Sequence, residues 1–309
     1  MGWRHVLALI CATVCGGTAS AEDKPRLTWV STATPPTHIE DKRAGAGIAD
    51  ETLDWFIARM PEFDHDMIVA DSLRLENMLA TRDGICAPAL VKSPERLTFT
   101  VFSKPVYWSE PPRLVVNAAA AAEVDSHANA RGEIELPALL DDPHLSGGRL
   151  LGRSYSASID RVLDAAKPTA RIVPLTHARE LDMLANSRFD WTIALPIHIA
   201  WWAQGFEGPS DRAGDDDTPA RTTDAAISFK FVTRAIAGEP DELIGYMGCS
   251  NREIGRRAIA AIDRIIDAAG PNPPWTEFYL KWLDADSKAD WLRRHRHGPA
   301  GPISSAPPG

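Results

Sequence analysis

The chain has 309 residues, with 33 Lys and Arg against 42 Asp and Glu, a net charge of −9 and 44% hydrophobic residues. An acidic chain without a basic block is a poor partner for nucleic acid or for an anionic membrane surface. Its length exceeds that of one ordinary domain and fits two.

Arg4 and His5 precede an apolar run over 6–14 (VLALICATV), far short of the about 20 residues that a bilayer span needs. Ala19-Ser20-Ala21 follows as a small-residue cleavage site. This order of charge, short apolar core and small residues reads as a secretory signal cleaved after Ala21. Cys11 and Cys15 lie inside it, and neither follows the small residue that a lipidated cysteine needs. The expectation is an exported, periplasmic, soluble protein whose 32 basic and 42 acidic side chains give a net charge of −10. Cys86 and Cys249 remain, an even count for an oxidising compartment. They form either one bridge across a very long loop or two buried thiols.

Strand-like and helix-like patterns then alternate. Residues 27–31 (LTWVS) read as a buried strand ended by Thr34-Pro35-Pro36. A helix is predicted from an Asp50 cap to Met60, with Leu53, Phe56, Ile57 and Met60 on one face. A strand over 66–70, a helix over 73–81 with Leu75, Met78 and Leu79 as its stripe, and a strand over 85–90 complete a β-α-β-α-β unit. In such units ligands meet the loops at strand C-terminal ends.

Residues 105–117 (PVYWSEPPRLVVN) are extended, β-branched and proline-bearing, as an interlobe crossover requires. A second series follows: strand 149–152, helix 156–166, strand 171–174, helix 178–186 and strand 190–195. Residues 207–223 read as a polar surface loop, and Asp215-Asp216-Asp217 within it lacks calcium-loop spacing. A helix over 253–269 is stopped by Gly270-Pro271. Shorter amphipathic pieces over 276–283 and 289–294 use Trp282 and Trp291 for packing. The Pro- and Gly-rich tail from 293 has little to bury and is expected to be disordered.

Several of these stretches resemble the family 3 extracellular solute-binding proteins, the amino-acid-type substrate-binding proteins of ABC transporters. Thr34-Pro35-Pro36 with Gly45 and Gly47-Ile48-Ala49-Asp50 is similar to that family's opening. Lys92-Ser93-Pro94-Glu95-Arg96 followed by Phe102-Ser103-Lys104-Pro105-Val106-Tyr107 resembles its T-x-E-R … F-S-x-P-Y signature. Cys249-Ser250 through Gly255, then Tyr279-Leu280-Lys281-Trp282, fit its end.

The resemblance implies an α/β, two-lobed type II periplasmic-binding fold, each lobe a doubly wound sheet flanked by helices with a hinge between. Lobe 1 would be 22–108 and 245–292, lobe 2 109–244, with 1–21 as signal and 293–309 as tail. It puts Cys86 and Cys249 in one lobe, which favours a disulfide between them. It implies a monomer that closes on a small, carboxylate-bearing molecule for a membrane permease, or that reports the ligand to a sensor partner.

Arg96 aligns with the arginine that holds a ligand carboxylate in relatives, and a guanidinium offers that group a planar fork. Its alternative role is an internal ion pair. Ser154, Tyr155 and Ser156 lie where relatives carry a ligand loop at a helix N-terminus, or a serine there simply caps the helix. Thr37, His38 and Trp108 sit on loops expected to face the cleft, with Trp108 alternatively packing in the hinge.

Two departures bear on the ligand. Residues 87–91 are apolar (APALV), and Pro196 stands near the position of the family's ammonium-binding carboxylate, with Asp190 too early to replace it. No H-E-x-x-H, G-x-S-x-G, P-loop or CxxC pattern is present, and the nine histidines give no metal-ligand spacing beyond His295 and His297. The expectation is a binding protein with no catalytic residue, metal or cofactor.

Overall fold

The computed structural model describes residues 23–40, 44–203, 231–283 and 285–295. The expected signal, the loop over 207–223 with its aspartates, and the tail beyond His295 lie outside the described residues.

The first half-unit is β1 (Arg26–Ser31), α1 (Ile48–Ile57), β2 (Asp64–Val69), α2 (Ser72–Thr81) and β3 (Ile85–Leu90). Strand β1 runs parallel to both β2 and β3. Helix α1 starts earlier than expected, because Gly47 is its N-cap and Asp50 sits at N3. From there the Asp50 carboxylate reaches back to accept from the Gly47 and Ile39 amides, each at 3.2 Å. The amide of the helix cap and one in the preceding loop are thereby satisfied. Leu53, Phe56 and Met60 are fully buried as the periodicity predicts, whereas Ile57 is half-buried.

The extended crossover is two strands, β4 (Thr100–Ser109) and β5 (Arg113–Asn117), divided by Glu110, Pro111 and Pro112. Proline has no N–H for a ladder, so pairing stops there. Helices α3 (Ala121–Asp125) and α4 (Leu136–Leu140) follow, then β6 (Gly147–Leu150), α5 (Ala157–Asp164), β7 (Ile172–Leu175), α6 (Glu180–Ala185), β8 (Trp191–Ala194), α7 (Pro196–Ala203) and β9 (Phe231–Arg234). The chain returns through β10 (Leu243–Ser250), α8 (Glu253–Ala269), α9 (Trp275–Leu280) and α10 (Ala285–Arg294).

These strands form two five-stranded sheets, ordered β2-β1-β3-β10-β4 and β7-β6-β8-β5-β9. In each, one antiparallel strand stands second from an edge: β10 pairs with β3 and β4, and β5 with β8 and β9. Each sheet with its helices makes one lobe, and the described chain passes between the sheets at 110–112 and at 235–242.

Both faces of each sheet are covered. In β5, Leu114 and Val116 face one core while Val115 faces another, and all three are fully buried. In lobe 1, Trp29, Phe56, Met247 and Trp275 fill one side, while Val30 packs with Leu75 and Leu79 on the other. Gly147 and Gly148 are required in β6 by close approach. A Cβ on either would lie 2.3 Å from the Trp191 indole or 2.4 Å from the Phe189 ring.

Cys86 on β3 and Cys249 on β10 are register partners with Cα atoms 4.0 Å apart, and the structure joins them as a disulfide. Helix α10 straps the crossings. Trp291 Nε1 donates to the Trp108 carbonyl at 3.0 Å, and Arg294 Nη1 donates to Glu242 at 3.2 Å. The helix continues through Arg294, and His295 is buried against Trp291 with ring centroids 3.9 Å apart. Ordered structure therefore extends past the boundary expected at 293. Trp291 and Trp282 both pack, the latter against Trp201 with centroids 5.2 Å apart.

Candidate ligand cleft between the two lobes

A cavity of about 160 Å³ lies between the lobes and is lined from both. Lobe 1 contributes the ends of β1 and β3, the loop 34–38 and the start of α1. Lobe 2 contributes Arg153 and Ser154 after β6, and Leu195, Ile197 and His198 after β8. These are strand C-terminal ends, where doubly wound sheets bind ligands. Much of the wall is apolar, including Val30, Leu75, Pro88, Leu90, Val91 and Ile197.

Arg96 opens a short 3-10 turn and is 5% exposed. It lines the cavity, but protein groups already engage its fork. Nε and Nη2 donate to Glu76 Oε1 at 3.0 and 2.9 Å, and Nη1 donates to the Val91 carbonyl at 3.1 Å. Nη2 also donates to the Gly152 carbonyl of lobe 2 at 3.0 Å. Burial raises the pKa of Glu76, and the Arg96 charge acts against that rise. The partner is thus Glu76 on α2, twenty residues upstream.

His198 makes a second link between lobes. Arginine can only donate, so the 3.2 Å contact from Arg153 Nη2 makes His198 Nδ1 an acceptor. The proton then sits on Nε2, which donates to Thr37 Oγ1 of lobe 1 at 3.3 Å. Burial first, and then the Arg153 charge, hold the His198 pKa well below 6.5 and keep the ring neutral.

His38 is 7% exposed and lines the cavity. Its Nδ1 is bonded to Asp50 Oδ1, and its Nε2 is buried without a partner among the described residues.

Ser154 also lines the cavity, with its hydroxyl donating to Asp160 at 2.5 Å. Three expected ligand residues sit elsewhere. Tyr155 is in the lobe 2 core, its hydroxyl accepting from the Leu150 amide at 3.0 Å; burial pushes its pKa up to about 12. Ser156 caps α5, accepting from the Ile159 amide at 3.1 Å and donating to Glu239 at 3.0 Å. Trp108 packs with Ile48, Ile197 and Tyr279 beside the hinge. Sequence reasoning missed His198, because 196–203 carried no predicted element. It also missed Glu76, which is sequence-distant from Arg96, and it passed over Arg153 in favour of the serines beside it.

No family model matches the chain, and no curated protein is significantly similar to it. Solved structures are similar. An ancestral amino acid-binding protein, described as a precursor of cyclohexadienyl dehydratase, aligns with 84% of this chain and 95% of its own at 14% identity and a TM-score of 0.57. The two-lobed topology is shared. The chain has the type II periplasmic-binding fold.

An amino acid ABC transporter substrate-binding protein from Streptococcus pneumoniae, bound to L-arginine, aligns with 86% of this chain and 96% of its own at 11% identity and a TM-score of 0.57. The periplasmic VFT2 domain of Bordetella pertussis BvgS covers 84% and 94% at 16% identity and a TM-score of 0.53. Identities this low speak for the fold alone. No helix among the described residues is long and apolar enough to cross a membrane.

Proposed function

We propose that this chain is an exported solute-binding protein that captures a small carboxylate-bearing molecule by closing its lobes, without catalysis, for an ABC-type transporter. The observation carrying this reading is the cleft itself. One cavity draws its walls from both lobes, and two hydrogen bonds between the lobes, Arg96 to Gly152 and His198 to Thr37, are made by residues that line it or adjoin it. A ligand contacting both walls favours the closed arrangement over the open one by its differential affinity. A substrate-binding protein bound to L-arginine has the same fold. The Arg153 guanidinium supplies a cationic group suited to an anion, while Arg96 beside it is held by Glu76.

The test uses the mature chain from residue 22, screened by thermal shift against amino acids, carboxylates, peptides, sugars and alcohols. A ligand at about 100 times its Kd adds roughly 2.7 kcal/mol to folded-state stability. A carboxylate hit with contraction in small-angle scattering supports the reading, and a folded protein that no compound shifts overturns it.

The likeness to BvgS periplasmic domains favours a second reading, a sensor that reports the same closure to a membrane partner. A permease and ATPase encoded beside the gene favour uptake, and a sensor kinase favours reporting.

A further inference from the structure

Resting on the solute-binding reading, we infer that the cleft selects small 2-hydroxy acids with apolar side chains over the corresponding amino acids, with His38 Nε2 accepting the ligand's hydroxyl proton.

The argument begins at Asp50. Its Oδ2 accepts from two backbone amides, Ile39 and Gly47, and its Oδ1 faces His38 Nδ1. An ionised carboxylate only accepts, so the His38 proton sits on Nδ1 and the Nε2 lone pair is left as an acceptor. That atom is buried, unpartnered among the described residues, and belongs to a residue lining the cavity. A buried polar atom of this kind is expected to find a partner, and His38 is part of the cavity wall. The ligand must therefore bring a donor.

Charge decides which donor. The described residues lining the cavity include Arg96 and Arg153 and no aspartate or glutamate. Arg96 is paired with Glu76, so Arg153 carries the positive charge on this wall, and a guanidinium with no lining carboxylate favours an anion and disfavours an ammonium beside it. A hydroxyl donates without adding charge.

Placement agrees. Thr37, the neighbour of His38, is joined through His198 to Arg153, which puts a guanidinium from lobe 2 beside the loop carrying His38. Arg153 Nη2 bonds the His198 ring, and its other N–H groups bond no protein acceptor among the described residues. Carboxylate on Arg153 and hydroxyl on His38 use both polar groups of a 2-hydroxy acid, and the apolar wall over 88–91 takes its side chain. A cavity near 160 Å³ suits a body on the order of a benzene ring, which fills an engineered void of similar size.

The experiment is calorimetry on the mature protein with three matched sets: lactate, alanine and propionate; 2-hydroxyisovalerate, valine and isovalerate; 2-hydroxyisocaproate, leucine and 4-methylpentanoate. In at least one set the hydroxy acid binds tenfold or more tighter than both the amino acid and the unsubstituted acid. His38→Asn keeps a donor toward Asp50 while removing Nε2, and it cuts the advantage of the hydroxy over the unsubstituted acid to less than threefold. Amino acids binding as tightly as hydroxy acids, or a hydroxyl that adds nothing in the wild type, overturn this inference and leave the solute-binding reading standing. Silence from all nine compounds overturns the inference; silence from the broad screen as well overturns the solute-binding reading with it. Where His38→Asn does not fold, the wild-type ratios alone decide.

Discussion

Arg96 of lobe 1 donates through Nη2 to the carbonyl oxygen of Gly152 in lobe 2 at 3.0 Å, while the same guanidinium holds Glu76. One side chain therefore serves both the interior of its own lobe and the contact between lobes. Replacing it with alanine strands Glu76, whose side chain is 23% exposed, beside an unfilled space. Breaking such a pair from one side is expected to destabilise by about 2–4 kcal/mol. Adding Glu76→Gln to Arg96→Ala recovers part of that loss, and a double-mutant cycle in urea measures the coupling.

The Asp50 carboxylate serves three donors: the Ile39 and Gly47 amides and the His38 ring. Asp50→Ala leaves all three without it and is expected to lose about 2–4 kcal/mol. Asp50→Asn keeps an oxygen for the amides and loses less. The order of the two urea midpoints checks this.

His198 gives stability a pH dependence of known sign. Its folded pKa is depressed below 6.5 by burial and by Arg153, so below that pH the unfolded chain binds a proton that the folded chain refuses. Its contribution is complete above about 6.5 and is lost progressively as pH falls toward the depressed folded value. Glu76 and Glu180 act oppositely, since burial raises their pKa values. The stability difference between wild type and His198→Gln isolates the histidine: it is flat from pH 7 to 8 and moves against the wild type between pH 6.5 and 5.

The Cys86–Cys249 bridge spans 163 residues of sequence. Closing so long a loop restricts the unfolded chain, and removing the bridge is expected to lower stability by about 2–4 kcal/mol. Urea unfolding of Cys86→Ala/Cys249→Ala against the oxidised wild type measures the loss.

What could be read from the sequence follows the length and regularity of each element. Helix α8 matches its predicted range because an apolar stripe repeats along all of 253–269 before Gly270. Strands β1 and β3 are short apolar runs with turn residues beside them. By contrast α3 and α4 are five residues each, too short for periodicity to register or for a helix to stand without tertiary support. Helix α7 (PIHIAWWA) is apolar on nearly every face, so no stripe marked it. In the cleft, sequence placed Arg96, Thr37, His38 and Ser154 at the lining. It also proposed Tyr155, Ser156 and Trp108, with a serine cap and hinge packing of Trp108 as alternative roles, and the structure places Tyr155 in the core, Ser156 as the cap and Trp108 in packing. The direction of a side chain depends on backbone turns that composition does not encode. Glu76 was invisible as a partner because its contact with Arg96 is set by how α2 lies on the sheet.

Strand β10 lies between β3 and β4, and β4 pairs with no other described strand. During synthesis the ribosome must therefore finish every strand of lobe 2 before lobe 1 can complete its own sheet. The lobe begun first is completed last, and until Leu243–Ser250 arrives the edge of β3 stays open and Cys86 has no mate. The thiol state of Cys86 is consequently a clock for assembly: it can close with Cys249 only in molecules whose return strand has been delivered.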